Sequence, residues 1–203
     1  DPGVIDRALR RHSVSKLDVV VATHGDADHV GGLEDVVASF EIGALWVSAH
    51  ARPSDLLEAV LDEAIARAIP IVEVETETKT TLGGIRIEVV SPARRFASDN
   101  DGSVTIVASA TLSVLIPGDI EATGQQSLPA LHPDIMIVPH HGSATTDTRW
   151  LAAVVGDVAI LSYGPNTYGH PNPEIMETLR QAETEIRETA IEGDITVSLS
   201  KDG

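Results

Sequence analysis

Residues 23–32 read THGDADHVGG and follow directly on an apolar run, KLDVVVAT at 16–23. An apolar run this short, without the polar alternation of a half-buried element, predicts a strand covered on both faces. The motif therefore sits at a strand's carboxyl end, and the pattern over 30–40 predicts a helix after it. His24, Asp26, Asp28 and His29 crowd two imidazoles and two carboxylates into six residues. Carboxylates this close raise each other's pKa, at a cost that a bound divalent cation reverses in sign. The spacing asks for a metal ion. Asp28 also has the chemistry of a helix N-cap, and a helix start is a rigid place from which to display a ligand.

Three later strings have the same form, an apolar run that ends in a polar loop. Residues 115–121, LIPGDIE, present Asp119 after Gly118. A Gly-Asp pair alone is as well explained by a turn or a cap, so its weight comes from the company it keeps. Residues 134–143, DIMIVPHHGS, stop a strand at Pro139 and set His140 and His141 beside a glycine that lets backbone approach a ligand closely. Ser143 and Thr145 add hydroxyl donors suited to a phosphate or carboxylate. Residues 158–173, VAILSYGPNTYGHPNP, carry His170 after a further strand, in a loop stiffened by Pro165, Pro171 and Pro173. His12, His50 and His132 lack such settings and read as ordinary surface or half-buried histidines, and Arg94 and Arg95 as a solvated loop pair.

Outward from these strings, the periodicity predicts helices over 4–11, 54–68, 121–131, 147–155 and 173–182. Strands are predicted over 44–48, 71–75, 85–90, 104–108, 112–117, 135–138 and 158–161, and a closing hairpin over 186–189 and 195–199. Gly83 and Gly84 mark the start of an antiparallel middle region. The simplest architecture is an α/β sandwich of two mixed sheets packed face to face, with helices outside and one site collecting the loops of both halves.

Composition narrows the chemistry. The 203 residues contain no cysteine, which excludes thiolate metal sites, cysteine nucleophiles and disulfide scaffolds and leaves imidazole and carboxylate as metal ligands. Lys and Arg number 14 against 31 Asp and Glu, a net charge of −17, so binding of nucleic acid through a broad basic face is excluded. Apolar stretches are too short for a spanning helix, and no membrane insertion by this chain is expected.

Taken in order, THxDxDHxGG, LxGDIE, VPHHGS and YGHP resemble the metallo-β-lactamase superfamily, and within it the extracellular hydrolase domain of ComEC-type competence proteins. The resemblance covers nearly the whole chain and implies an αβ/βα sandwich that binds two divalent ions, Mn²⁺ or Zn²⁺, with Mg²⁺ possible. By its pattern, His24 and Asp26 hold one ion, Asp28 and His29 the other, Asp119 bridges, and His140 or His170 is the late histidine ligand. Asp26 stands where the superfamily usually has a second histidine, and Asn100, in SDNDGS, lies near the place of a further one. These replacements harden the site and shift it from zinc toward manganese or magnesium. Asp28, His141 and His170 are the expected catalytic residues, with His141 or His170 donating to the leaving oxygen, while Ser143 and Asn100 are expected to contact substrate.

The resemblance further implies a metal-dependent phosphodiesterase, a DNase that degrades the strand not taken up during transformation, with single-stranded DNA as its substrate. Residues 1–203 are then one domain, lacking its opening strands, of a protein whose other domains form a membrane-embedded DNA channel, and it faces the extracytoplasmic side. Two alternatives stay open: a free-standing hydrolase of a small phosphodiester, lactone or thioester, and a catalytically silent channel module.

Overall fold

The computed structural model describes residues 3–197. The chain begins with α1 (Gly3–Arg11), then alternates strands and helices through β1 (Lys16–Ala22), α2 (Ala27–Val30), α3 (Leu33–Ser39), β2 (Glu41–Ser48), α4 (Asp55–Ala66) and β3 (Ile71–Val74). Helical crossovers return each strand in the same direction, so β1, β2 and β3 form a wholly parallel sheet, with Val20 beside Leu45 and Leu45 beside Ile71. The sequence pattern suggests a mixed sheet here; the smaller sheet is instead wholly parallel, because no hairpin enters it.

From β4 (Lys79–Leu82) and β5 (Ile85–Val89) to β6 (Ile106–Ser109) and β7 (Ser113–Ile116) the pairing is antiparallel, as predicted. Gly83 and Gly84 both take positive φ, 56° and 87°, which the tight β4–β5 turn requires. After α5 (Ala122–Gln125) the pairing turns parallel through β8 (Ile135–Ile137), α6 (Thr148–Val154), β9 (Val158–Leu161), α7 (Pro173–Gln181) and β10 (Glu185–Glu188), and α8 (Thr189–Glu192) follows. The second sheet is a seven-stranded mixed sheet in the order β10-β9-β8-β7-β6-β5-β4.

Strand alternation distributes the core. Val20 and Ala22 of β1 pack with Val36, Val37, Val60 and Ala64 of α3 and α4, while Val19 and Val21 turn inward to Trp46, Val74, Val89, Val104 and Ile106. That inward cluster joins the two sheets. On the far side, Leu115, Met136 and Leu161 are covered by Leu151 and Val154 of α6 and by Ile175 and Leu179 of α7. Leu45 and Leu115 are fully buried, and each such side chain contributes about 1.5–3 kcal/mol through the area it removes from water.

Some predicted elements differ. The helix expected over 30–40 is two helices, α2 and α3, broken at Gly31 and Gly32. That over 121–131 stops at Gln125, ahead of Pro129, which cannot continue it. The closing hairpin is replaced by a crossover through α7, which lays β10 parallel to β9. Residues 195–197 carry no strand, and 198–199 lie outside the described residues. Among the described residues no helix is long and apolar enough to cross a membrane.

Candidate metal centre

Loops from the carboxyl ends of β1, β7, β8 and β9 meet at one edge of the sandwich. The β1 loop is anchored to α4: Ser54 caps that helix by accepting from Leu57 N at 3.1 Å and donates to Gly25 O at 2.9 Å. A Cβ on Gly25 would stand 2.9 Å from the same hydroxyl, so only glycine lets the loop lie there unshifted. Asp26, not Asp28, occupies the N-cap position of α2, and it makes no side-chain capping bond. Its carboxylate stays available to the site.

After β7, Gly118 turns the chain at φ 62°, and Asp119 N donates to Ser103 Oγ at 3.2 Å. After β8, His140, His141 and Gly142 are all left-handed, at φ 48°, 54° and 81°. For the two histidines this conformation costs on the order of 1–2 kcal/mol each, strain of a kind that collects at functional sites. The loops are laced together, because His140 N donates to Gly118 O at 3.3 Å and Asn172 N to Gly142 O at 2.8 Å.

Asp119 is the hub, with a side chain only 5% exposed. His29 Nε2 lies 3.1 Å from its Oδ1, and Nε2 of His24, His140 and His141 lie 4.0, 3.7 and 3.8 Å from its Oδ2. Each ring's other nitrogen faces an oxygen. His141 Nδ1 is 2.6 Å from Ser162 O; Thr23 Oγ1 serves Nδ1 of His24 at 3.0 Å and of His29 at 3.4 Å; Thr145 Oγ1 meets His140 Nδ1 at 3.2 Å. A proton held on Nδ1 leaves the Nε2 lone pair as the ligand atom. Nε2 of His24, His29 and His141 is buried without an aligned hydrogen bond, an arrangement that calls for an ion.

Asp28, His29, Asp119 and His141 bring one ligand atom each within 4.8 Å of one another. Asp26 Oδ2 lies 3.7 Å from His24 Nε2, which is itself 4.0 Å from Asp119 Oδ2. This mixed imidazole and carboxylate set fits divalent cations of the manganese, zinc or magnesium kind.

Electrostatics point the same way. The His141 imidazole, its Nε2 3.3 Å away, holds the Asp28 carboxyl well below its usual range, against burial. The same contact raises His141 to about 9, so a proton between the two stands where a cation's charge would be. Burial pushes Asp119 up, but the close contact with His29 and the field of His29, His141 and His140 outweigh it and the net shift is downward. His24 is lowered by burial and then by His29, which favours the neutral, ligating imidazole.

His170 reaches the same cavity from the β9 loop, its ring centroid 5.5 Å from that of His140 and its Nδ1 buried without a partner. Burial, followed by His140 and His141, lowers it. The cavity, about 620 Å³, is lined by Asp26, Asp28, Asp119, His140, His141 and His170 among others. Two expected substrate contacts lie elsewhere. Ser143 is buried and accepts from Thr145 Oγ1 at 3.0 Å, and Asn100 donates to Glu121 Oε1 at 3.4 Å; neither lines the cavity. His50 packs against Gly102, Arg94 lies over the Phe96 ring, and Arg95 donates to Ala51 O.

Thr23, Ser103 and the Ser162 carbonyl are the groups the sequence reading misses. Ser103 is fully buried, and its Oγ accepts from Asp119 N while standing 3.3 Å from His24 Nδ1. Thr23 to valine keeps the shape and removes the oxygen that orients two imidazoles. We expect metal affinity, read by titration into chelator-treated protein, to fall about 10–100-fold, whereas an unchanged affinity would separate Thr23 from the ligands.

The metallo-beta-lactamase superfamily model matches residues 4–164. The chain is 27% identical to ComE operon protein 3 of Bacillus subtilis (strain 168) over 197 residues, which cover 92% of this chain and 25% of that protein. It is 25% identical to the competence protein ComA of Neisseria gonorrhoeae over 205 residues, covering 97% of this chain and 27% of that one. It thus spans about a quarter of the length of these curated relatives. Among solved structures it shares its fold with Tm1679, a metal-dependent hydrolase of the beta-lactamase superfamily, at a TM-score of 0.59 and 12% identity over 98% of this chain and 86% of the other. With the histidines and aspartates gathered at the sheet ends and a family model covering most of its length, the chain belongs to the metallo-beta-lactamase superfamily.

Proposed function

We propose that residues 1–203 form one hydrolase domain of a longer protein and cleave phosphodiester bonds, with single-stranded DNA as substrate during DNA uptake. In this reading the domain works at the extracytoplasmic face of the membrane, beside domains that form a DNA channel. The observation that carries the hydrolase reading is the convergence of four imidazole Nε2 atoms on the Asp119 carboxylate. The likeness to competence proteins supports the choice of DNA.

Asp28, His29 and His141 would hold one cation, His24, Asp26 and His140 a second, with Asp119 between them. When bound, such a pair supplies positive charge to non-bridging phosphate oxygens and lowers the pKa of water at the site. Thr23, Thr145 and the Ser162 carbonyl keep the ring protons on Nδ1, so the imidazoles stay oriented through turnover. His170, on the cavity wall, steadies the charge developing on the leaving oxygen through a ring N–H. This assigns His141 to metal binding, since its Nε2 already lies 3.3 Å from Asp28. Asn100 acts at one remove, steadying Glu121, whose carboxylate is 3.5 Å from His140 Nδ1.

A second reading, hydrolysis of a small phosphodiester, draws support from the cavity wall, which among the described residues carries no lysine or arginine to track a polynucleotide backbone. The test is to strip the protein with chelator and add back Mn²⁺, Zn²⁺ or Mg²⁺ singly, with labelled single-stranded DNA. Cleavage restored by one of these ions is expected. Turnover of bis(p-nitrophenyl) phosphate without cleavage of DNA would favour the small substrate, and no turnover of either would overturn both readings.

A further inference from the structure

We infer that Tyr168 is a stacking platform for an unpaired nucleobase next to the phosphodiester being cleaved, an inference that rests on the phosphodiesterase reading and extends it to base recognition. The chain has six aromatic residues, two each of Phe, Trp and Tyr. Phe40 and Trp46 are buried, and Phe96, Trp150 and Tyr163 are half-buried. Tyr168 is 82% exposed, and it lines the cavity that holds Asp28, Asp119 and His170. Water contact on that scale costs a large apolar ring, so the exposed face is suited to a planar partner.

The ring is not loose. It stacks on the His170 imidazole, with centroids 6.0 Å apart and planes tilted by 20°. The loop beneath is held by one side chain. Asn166 Oδ1 accepts from Tyr168 N and from His170 N, each at 3.1 Å, and Nδ2 donates to Gly164 O at 3.0 Å and His170 O at 2.7 Å. Four bonds from one residue fix the aromatic ring relative to a histidine of the candidate centre, so little ordering remains to oppose binding. A base lying on Tyr168 would extend the Tyr168–His170 stack and leave its phosphate near Asp28 and Asp119.

Charge makes this platform the natural source of affinity. Among the described residues no lysine or arginine lines the cavity, whose volume of about 620 Å³ lies in the range of small-ligand sites. With backbone neutralisation absent there, grip on a nucleotide apart from any cation has to come from the base, and stacking on an aromatic side chain is tolerant of sequence. A duplex hides its base faces, so the partner is single-stranded.

The test measures binding apart from turnover. The full chain is titrated, with Mg²⁺ present, into a phosphorothioate trinucleotide containing 2-aminopurine, whose fluorescence falls on stacking, and into an abasic counterpart with the same backbone, followed by competition. Parent and Tyr168→Phe should quench and bind alike. Tyr168→Ala should bind about tenfold or more weakly, and the abasic strand should bind every variant as weakly. Equal binding by parent and Tyr168→Ala, equal binding of the abasic strand to the parent, or no binding at all overturns the inference. Cleavage of DNA by the parent, assayed separately, tests the underlying reading: base-dependent binding through Tyr168 with no cleavage would sink the nuclease and keep the platform.

Discussion

Asp119→Ala is expected to lose turnover by at least about 10³-fold with any added cation, and to retain less metal after gel filtration. Among the described residues the carboxylate is the group that the Nε2 atoms of His24, His29, His140 and His141 all approach within 4.0 Å. Removing it takes away the anion between the two halves of the ligand set. Charge stabilisation by a bound metal is worth several kcal/mol in the transition state, and each 1.36 kcal/mol is a factor of ten in rate. Asp119→Asn keeps the volume and removes the charge, so a similar loss in that variant assigns the effect to ligation rather than to packing. Far-ultraviolet circular dichroism of the metal-free variants checks folding. Cleavage at the parent's rate by either variant would dismiss the centre.

Gly118→Ala is the second. Two costs coincide there. The φ of 62° is unfavourable for an L-residue by about 1–2 kcal/mol, and the new Cβ would lie 2.9 Å from Ser103 Cβ and 3.3 Å from Thr23 Cβ, with overpacking typically adding about 1–3 kcal/mol. Urea denaturation should report a loss of about 2–5 kcal/mol in total. Gly84→Ala is the control, for its φ is 87° but nothing lies within 4 Å of the added methyl. It should lose only the backbone part. Equal losses at the two positions would mean that Ser103 and Thr23 yield, and Asp119 would then shift with them.

Most strands that carry the site were legible in the sequence because each is an apolar run that gives way to a polar loop containing His or Asp. The eye needs only the change from apolar to ligating residues, and Lys16–Ala22, Ser113–Ile116, Ile135–Ile137 and Val158–Leu161 all show it. Partner choice was not legible. The pattern of Glu185–Glu188, with Ile186 its one apolar residue, suits a hairpin as well as an edge strand, and only the α7 crossover, a tertiary fact, makes β10 parallel. Helix ends were misplaced where breakers act within an apolar pattern, as at Gly31 and Gly32. For the site, His24, Asp26, Asp28, His29, Asp119, His140, His141 and His170 all come to one edge, whereas Ser143 and Asn100 turn to Thr145 and Glu121. A hydroxyl such as Ser103 inside GSVTIV gives no signal by itself, and a backbone carbonyl such as that of Ser162 gives none at all. Tyr168 stood in a quoted string, yet its exposure could not be read from its neighbours.

The candidate ligand set also has a mechanical meaning. His24, Asp26, Asp28 and His29 hang from the three-stranded sheet, while Asp119, His140 and His141 hang from the seven-stranded one. Away from that edge, the sheets are joined by the small apolar seam around Trp46, Val74 and Ile106. A cation gripped by both groups would rivet the halves together, and anything that binds the native state alone deepens its stability in proportion to the logarithm of its concentration. Chelation should therefore loosen amide protons in both sheets in concert, far from the rivet itself.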